Sequence, residues 1–167
     1  MGDNYSVVMR IKVARRGKSY LAGLVRKWMK RVEEGTDATA GVQWQWSYNR
    51  SFGARPDSLN GIVKILLGAH QGTFKHSVDN GGFDVYMSVF KATYTWGAVI
   101  RDAFREMAWA LDDHSYLYID RDDGADRLEV HRDRVWQEEA RNMRELPYAS
   151  EPERNNQKQA RRRNRHG

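Results

Sequence analysis

The chain contains no cysteine. That removes disulfides, zinc–cysteine sites, iron–sulfur clusters and thiol catalysis in one step. A reducing compartment fits this composition. No apolar run approaches the ~18 residues that a membrane-spanning helix needs. No basic, apolar and small-residue order at the N-terminus reads as a secretory signal peptide. The expected location is therefore intracellular or virion-associated, with no membrane partner.

Several catalytic patterns are missing as well. There is no H-E-x-x-H for a zinc protease, no G-x-S-x-G elbow for a hydrolase and no H-x-[ST] pair. The segment Arg15-Arg16-Gly17-Lys18-Ser19 lies between a strand pattern and a helix pattern, where a Walker A loop would sit. Its first glycine position holds Lys12, so the backbone cannot approach a nucleotide phosphate as that loop does. Asp120-Arg121-Asp122-Asp123-Gly124-Ala125-Asp126 places four carboxylates within seven residues. It lacks the glycine at position six and the glutamate at position twelve of a calcium-binding EF-hand loop, and reads as a solvated hairpin turn. His70 and His76 bracket a glycine loop near Asp79, the one grouping worth testing for a metal. Nothing calls for a cofactor or a resident metal, and no enzyme is expected.

What is present is enough for one domain. The 167 residues suit a single core, since folded domains run ~100–200 residues. Tyr5, Val7, Met9, Ile11 and Val13 alternate with mostly polar neighbours, a half-buried strand with Arg10 and Lys12 on its other face. Ser19 is placed to cap a helix whose stripe is Leu21, Leu24, Val25, Trp28, Met29 and Val32, ended by Gly35. Val42, Trp44, Trp46 and Tyr48 alternate with polar residues as a second strand. Such an aromatic face either stacks bases or lies buried under a helix, and burial is the commoner use.

A short helix from Ser58 to Leu67 is apolar nearly all round and is capped by Gly68. A strand over 73–78 meets the turn Asp79-Asn80-Gly81-Gly82. The strand beyond it is expected to point Phe83, Val85, Met87 and Val89 inward. A helix over 95–111 carries Trp96, Val99, Ile100, Ala103, Phe104, Met107 and Leu111. Trp109 leaves that stripe, either against the last helix or as part of a partner surface. A hairpin over 116–131 and a last helix over 133–145, ended by Pro147, complete the pattern. The order βαβαββαββα predicts an α+β fold, with a mainly antiparallel sheet and helices packed on one face. A ferredoxin-like core with additions satisfies that skeleton. Residues 1–149 form the expected domain. Residues 150–167 lack large apolar side chains and are expected to be a disordered basic tail.

Charge points to partners. The net charge is +6, divided as +6 over residues 1–34, +1 over 35–111, −5 over 112–146 and +4 over 147–167. Basic segments attract phosphate backbones without needing a sequence code. The leading expectation is a non-enzymatic nucleic-acid-binding protein, for RNA or DNA. Its phosphate contacts would come from Arg10, Lys12, Arg15, Arg16, Lys18, Lys27, Lys30, Arg31 and Arg50. Arg161, Arg162, Arg163 and Arg165 of the tail would add a mobile clamp. The opposed charges of 1–34 and 112–146 support an alternative, a structural or assembly subunit such as a ring-forming or virion protein that pairs with its own copies. A third reading is an inhibitor that meets a host protein through Trp109, Asp120, Asp122 and Asp123.

Overall fold

In the computed structural model the described residues are 2–34, 58–122, 124–132, 134–139 and 142–146. Seven strands form one sheet: β1 (Gly2–Ile11), β2 (Lys75–Val78), β3 (Asp84–Thr93), β4 (Tyr116–Arg121), β5 (Gly124–His131), β6 (Arg134–Glu139) and β7 (Asn142–Leu146). Their order is β2-β3-β1-β4-β5-β6-β7, and every neighbouring pair is antiparallel. Three α-helices are described, α1 (Lys18–Glu34), α2 (Leu59–Leu66) and α3 (Trp96–Met107). The molecule is an α+β protein with a helical layer on one face of an antiparallel sheet.

The path of the chain follows from the pairings. Two antiparallel steps make β1 and β2 parallel, with β3 inserted between them; α1 and α2 lie on that connection. The same reasoning makes β3 and β4 parallel, with β1 between them and α3 on the connection. Parallel strands joined in sequence need such long crossovers, and helices supply them.

Alternation on β1 decides which face is the core. Tyr5, Val7, Met9 and Ile11 are buried, and the register sets Phe90 opposite Tyr5 and Tyr86 opposite Met9. Leu117 and Ile119 of β4, Leu128 and Val130 of β5 and Val135 of β6 continue the same face. Leu21, Leu24, Val25 and Trp28 of α1 cover it, together with the whole stripe expected of α3. Each such side chain contributes ~1.5–3 kcal/mol when fully buried. Glu106 is buried among them and would be costly without hydrogen bonds. Trp28 Nε1 donates to its carboxylate at 2.7 Å, and Tyr20 Oη donates to its backbone oxygen at 2.6 Å, so α1 and α3 are joined at one point.

Local signals hold where they are strong. Ser58 caps α2, its side chain accepting from the Gly61 N–H, and Gly68 follows in the left-handed conformation at φ 60°. The Asp79–Gly82 turn joins β2 to β3, with Gly82 at φ 80°.

Three expectations are corrected. The first concerns β3, whose inward residues are Tyr86, Ser88 and Phe90; Val85 is half-buried, while Met87 and Val89 are 49% and 56% exposed. Both phases of this strand are apolar, so pairing with β1 decides between them. Ser88 is accommodated because its hydroxyl donates to Leu67 O at 2.5 Å. Phe83 is buried outside the strand, beneath the Arg10 guanidinium at 3.6 Å.

The second correction replaces the last helix over 133–145 with the hairpin β6–β7. Val135 faces the core opposite Val130, while Trp136 turns to the other face opposite Glu129. Adjacent apolar residues on opposite faces are a strand pattern, and the free edge of β5 supplies the hydrogen bonds. The third correction is the start of α1. Ser19 lies inside the helix, which is entered through a 3-10 turn at Arg15–Gly17 with no side-chain cap. The Ala14 N–H donates to Ala110 O at 2.7 Å, and Val13 bridges to Leu111, which fixes the turn there instead. The expected strand over 42–49 and the tail over 150–167 lie outside the described residues.

Gly17 makes this entry tight. A Cβ added there would sit 2.5 Å from the Ala110 backbone. Gly17→Ala is expected to destabilise the fold by ~1–3 kcal/mol, read as a fall in Tm of ~2–4 °C per kcal/mol. A melting curve that matches the wild type would show that the two turns separate freely.

Candidate nucleic-acid interface

At the C-terminal end of β1 three chain segments are stitched together. The Asp112 N–H donates to Lys12 O at 2.8 Å, and the Lys12 N–H donates to the buried Ser115 hydroxyl at 3.2 Å. The His114 N–H donates to Val130 O at 2.9 Å, and the Val130 N–H returns to Ser115 O at 2.8 Å. The Arg132 N–H donates to Asp113 Oδ1 at 2.9 Å. The end of β1, the 111–115 loop and the β5–β6 turn thus hold one another.

Between them lies a solvent-open pocket of about 480 Å³, lined by Lys12, Arg16, Phe83, Asp112, Asp113, His114 and Arg132. Three of those side chains are basic and two are carboxylates. Asp113 is already engaged by the Arg132 backbone. His114 and Arg132 are the two non-glycine residues with positive φ among the described residues, at 71° and 52°. A left-handed backbone costs roughly 1–2 kcal/mol for a residue with a Cβ. Arg132 stands in the tight β5–β6 hairpin turn, where left-handed backbone is favoured, and both residues line the same pocket.

The sequence-selected cations divide into two groups. Arg10 is committed to the fold: its Nε donates to Asp79 Oδ2 at 2.7 Å and its guanidinium donates to His114 O at 3.0 Å. That guanidinium, with the Phe83 and Gly81 backbone N–H groups, holds the Asp79 carboxyl below its ordinary 3.8. Lys12 reaches into the pocket, with Nζ donating to Gly81 O at 3.0 Å. Arg16 lines it as well, hydrogen-bonded to Trp109 O at 3.3 Å and lying 5.8 Å from the Trp109 ring. Arg15, Lys18 and Lys27 are exposed on the entry turn and on α1. Lys18 also borders a second groove of about 500 Å³ with Leu21, Val25 and Leu59. Lys30 and Arg31 belong to α1. Arg50, Arg161, Arg162, Arg163, Arg165 and Asp123 lie outside the described residues.

The other candidates are dispersed. Trp109 is half-buried and meets Tyr20 edge-on at 5.3 Å. Asp120 is exposed on β4, and Asp122 accepts from the Asn4 N–H at 3.3 Å. His76 pairs with Asp84 at 2.8 Å and stacks on Tyr86, while Asp79 serves Arg10. Among the described residues no group of three or more His, Cys, Asp or Glu is placed to hold a metal. No described helix is long and apolar enough to cross a membrane.

His114, Arg132 and Phe83 were not selected from sequence. The one available hint was the polar Asp112-Asp113-His114 turn. Arg132 falls between the expected strand ending at His131 and the expected helix over 133–145, and the β5–β6 turn is what places it on the pocket.

The arrangement defines a class by shape and charge only, an antiparallel α+β domain with a cationic pocket at one end of its sheet. No protein-family model, no curated protein and no solved structure matches the chain.

Two outcomes are expected of this region. Arg132→Gly relieves the left-handed strain at an entropic cost of ~0.5–1 kcal/mol. Stability should therefore hold or rise by up to ~1 kcal/mol while any anion affinity falls; a lower Tm would show that the side chain is needed for folding. Asp79→Asn should flatten the acid limb of the Tm-against-pH curve. The carboxyl is depressed in the folded state, so its contribution is present above the ordinary carboxylate range, ~pH 4. It is lost as the pH falls through the lowered value. A variant curve parallel to the wild type below that pH would remove Asp79 from the account.

Proposed function

We propose that the protein binds nucleic acid without enzymatic turnover, through phosphate contacts that are largely independent of sequence. The observation that carries this reading is the convergence of Lys12, Arg16 and Arg132 on one open pocket, with Arg15 exposed on the adjoining turn. Lysine and arginine held at fixed positions neutralise backbone phosphates and release condensed counterions. The guanidinium fork suits phosphate oxygens better than a lysine does. Phe83 in the lining gives the pocket an apolar side that a bulk-water site would lack.

Assembly is the second reading, and one observation favours it. Among the described residues β2 pairs only with β3, and its four residues are all exposed, Val78 at 64%. An open edge of this kind can accept a strand from another copy.

Fluorescence anisotropy with labelled RNA and DNA over a salt series tests the first reading. Affinity should fall steeply between about 50 and 200 mM salt. Lys12→Gln/Arg16→Gln/Arg132→Gln should reduce the slope of log K against log salt by ~2–3, at ~0.7–0.9 per lost contact. Binding that ignores salt, or a triple variant with the wild-type slope, would sink the proposal.

A further inference from the structure

The described helices cover one face of the sheet. The residues that alternate with the core positions lie on the other face, and the pairing registers set them in rows. One row runs Met87, Val8, Tyr118 and Arg127; the next runs Val85, Arg10, Tyr116, Glu129 and Trp136. Among the described residues no helix packs on this face. Tyr116, Tyr118 and Trp136 are half-buried there, and Met87 is 49% exposed.

The chemistry of this face differs from that of an ordinary solvated sheet. Tyr116 and Tyr118 stand two residues apart on one strand, ~6.8 Å along it. The Arg127 guanidinium lies 5.2 Å from the Tyr116 ring and is anchored by Glu129 at 3.3 Å. Trp136 Nε1 donates to His131 O at 3.3 Å, which fixes the indole. These rings sit on β4 and β6, both paired on two sides, so they do not serve to protect a sheet edge.

The face is also continuous with the cationic pocket. Arg10, in the Tyr116 row, donates to His114 O, and His114 lines the pocket. Glu129 is drawn off by Arg127 and by His114 Nδ1 at 3.3 Å.

We infer that this second face is a stacking platform for the bases of single-stranded nucleic acid, with Tyr118, Tyr116 and Trp136 as the stacking rings and the pocket of Lys12, Arg16 and Arg132 taking the backbone. The inference rests on the nucleic-acid reading above and narrows it to unpaired strands. Bases in a duplex are stacked on one another and cannot lay their faces on a protein ring, whereas unpaired bases can. Arginine beside the rings adds a cation that a base edge or a phosphate can meet.

The test compares the full chain with Tyr118→Ala and Tyr118→Phe. The probes are a labelled mixed-sequence single strand and the duplex it forms with its complement. Circular dichroism confirms that each variant is folded. The single strand should bind the wild type at least about ten-fold more tightly than the duplex. Tyr118→Ala should weaken single-strand binding by about 5- to 150-fold, the loss that removing one stacking ring brings, and leave duplex binding unchanged. Tyr118→Phe keeps the ring and should bind like the wild type. Single-strand affinity untouched by Tyr118→Ala, or equal binding of the duplex, would overturn the platform while leaving phosphate binding intact. Binding of neither polymer would overturn both readings. A self-associated species that Tyr118→Ala dissociates, with single-strand affinity unchanged, would assign the face to a second copy and overturn the platform. If Tyr118→Ala fails to fold, Trp136→Ala is measured in its place against the same limits.

Discussion

β1 is paired along both of its sides, and the rest of the molecule is arranged around that constraint. It meets β3 in a register running from Gly2 opposite Thr93 to Ile11 opposite Asp84, and it meets β4 from Tyr5 to Arg10. A slip of one residue in either pairing would turn Tyr5, Val7, Met9 and Ile11 away from the helices. The register therefore carries the full hydrophobic value of the strand. It also decides matters that look local. It selects the inward phase of β3, brings Arg10 over Phe83 and delivers Lys12 to the pocket.

The electrostatics are less polarised in space than in sequence. Several of the described acidic side chains in residues 112–146 are engaged within the fold. Asp126 takes Arg101 at 3.0 Å, Glu129 takes Arg127 and His114, and Asp113 and Asp122 accept backbone N–H groups. At these four positions the charge is internal fastening for the loops and strands that carry it. The cations divide in the same way. Arg10, Arg101 and Arg105 have carboxylate partners on the fold, whereas Arg15 and Lys18 stand exposed beside the end of β1. Net charge counts both kinds alike, and only the second kind is readily offered to a ligand.

Legibility followed the range of the interactions. β1, the span of α1, the extent and Gly68 stop of α2, the Asp79–Gly82 turn and the stripe of α3 are written in residues close together in the chain. They could be read without knowing what they touch. The phase of β3 could not, because Val85, Met87 and Val89 are as apolar as their alternates and only Tyr5 and Met9, some eighty residues away, choose between them. The β6–β7 hairpin failed for a related reason. Val135, Trp136, Ala140 and Met143 fit a helical wheel loosely, and the free edge of β5 that turns the segment into strand is a tertiary fact. Part of the candidate site was visible as Lys12, Arg15, Arg16 and Lys18. Its other wall, His114 and Arg132, depends on two turns meeting and on left-handed backbone that histidine and arginine do not advertise.

The interleaved crossovers have a temporal side. β1 is made early, but its two neighbours are residues 84–93 and 116–121, so neither flank can close until far more of the chain exists. At ~5–20 residues per second of synthesis, that interval is on the order of ten seconds. For that time a strand carrying Tyr5, Val7, Met9 and Ile11 has two unsatisfied edges. Distant pairing of this kind also slows folding from the denatured state, because loop closure precedes any gain. Among the described strands, β1 is thus the one that waits longest for its partners.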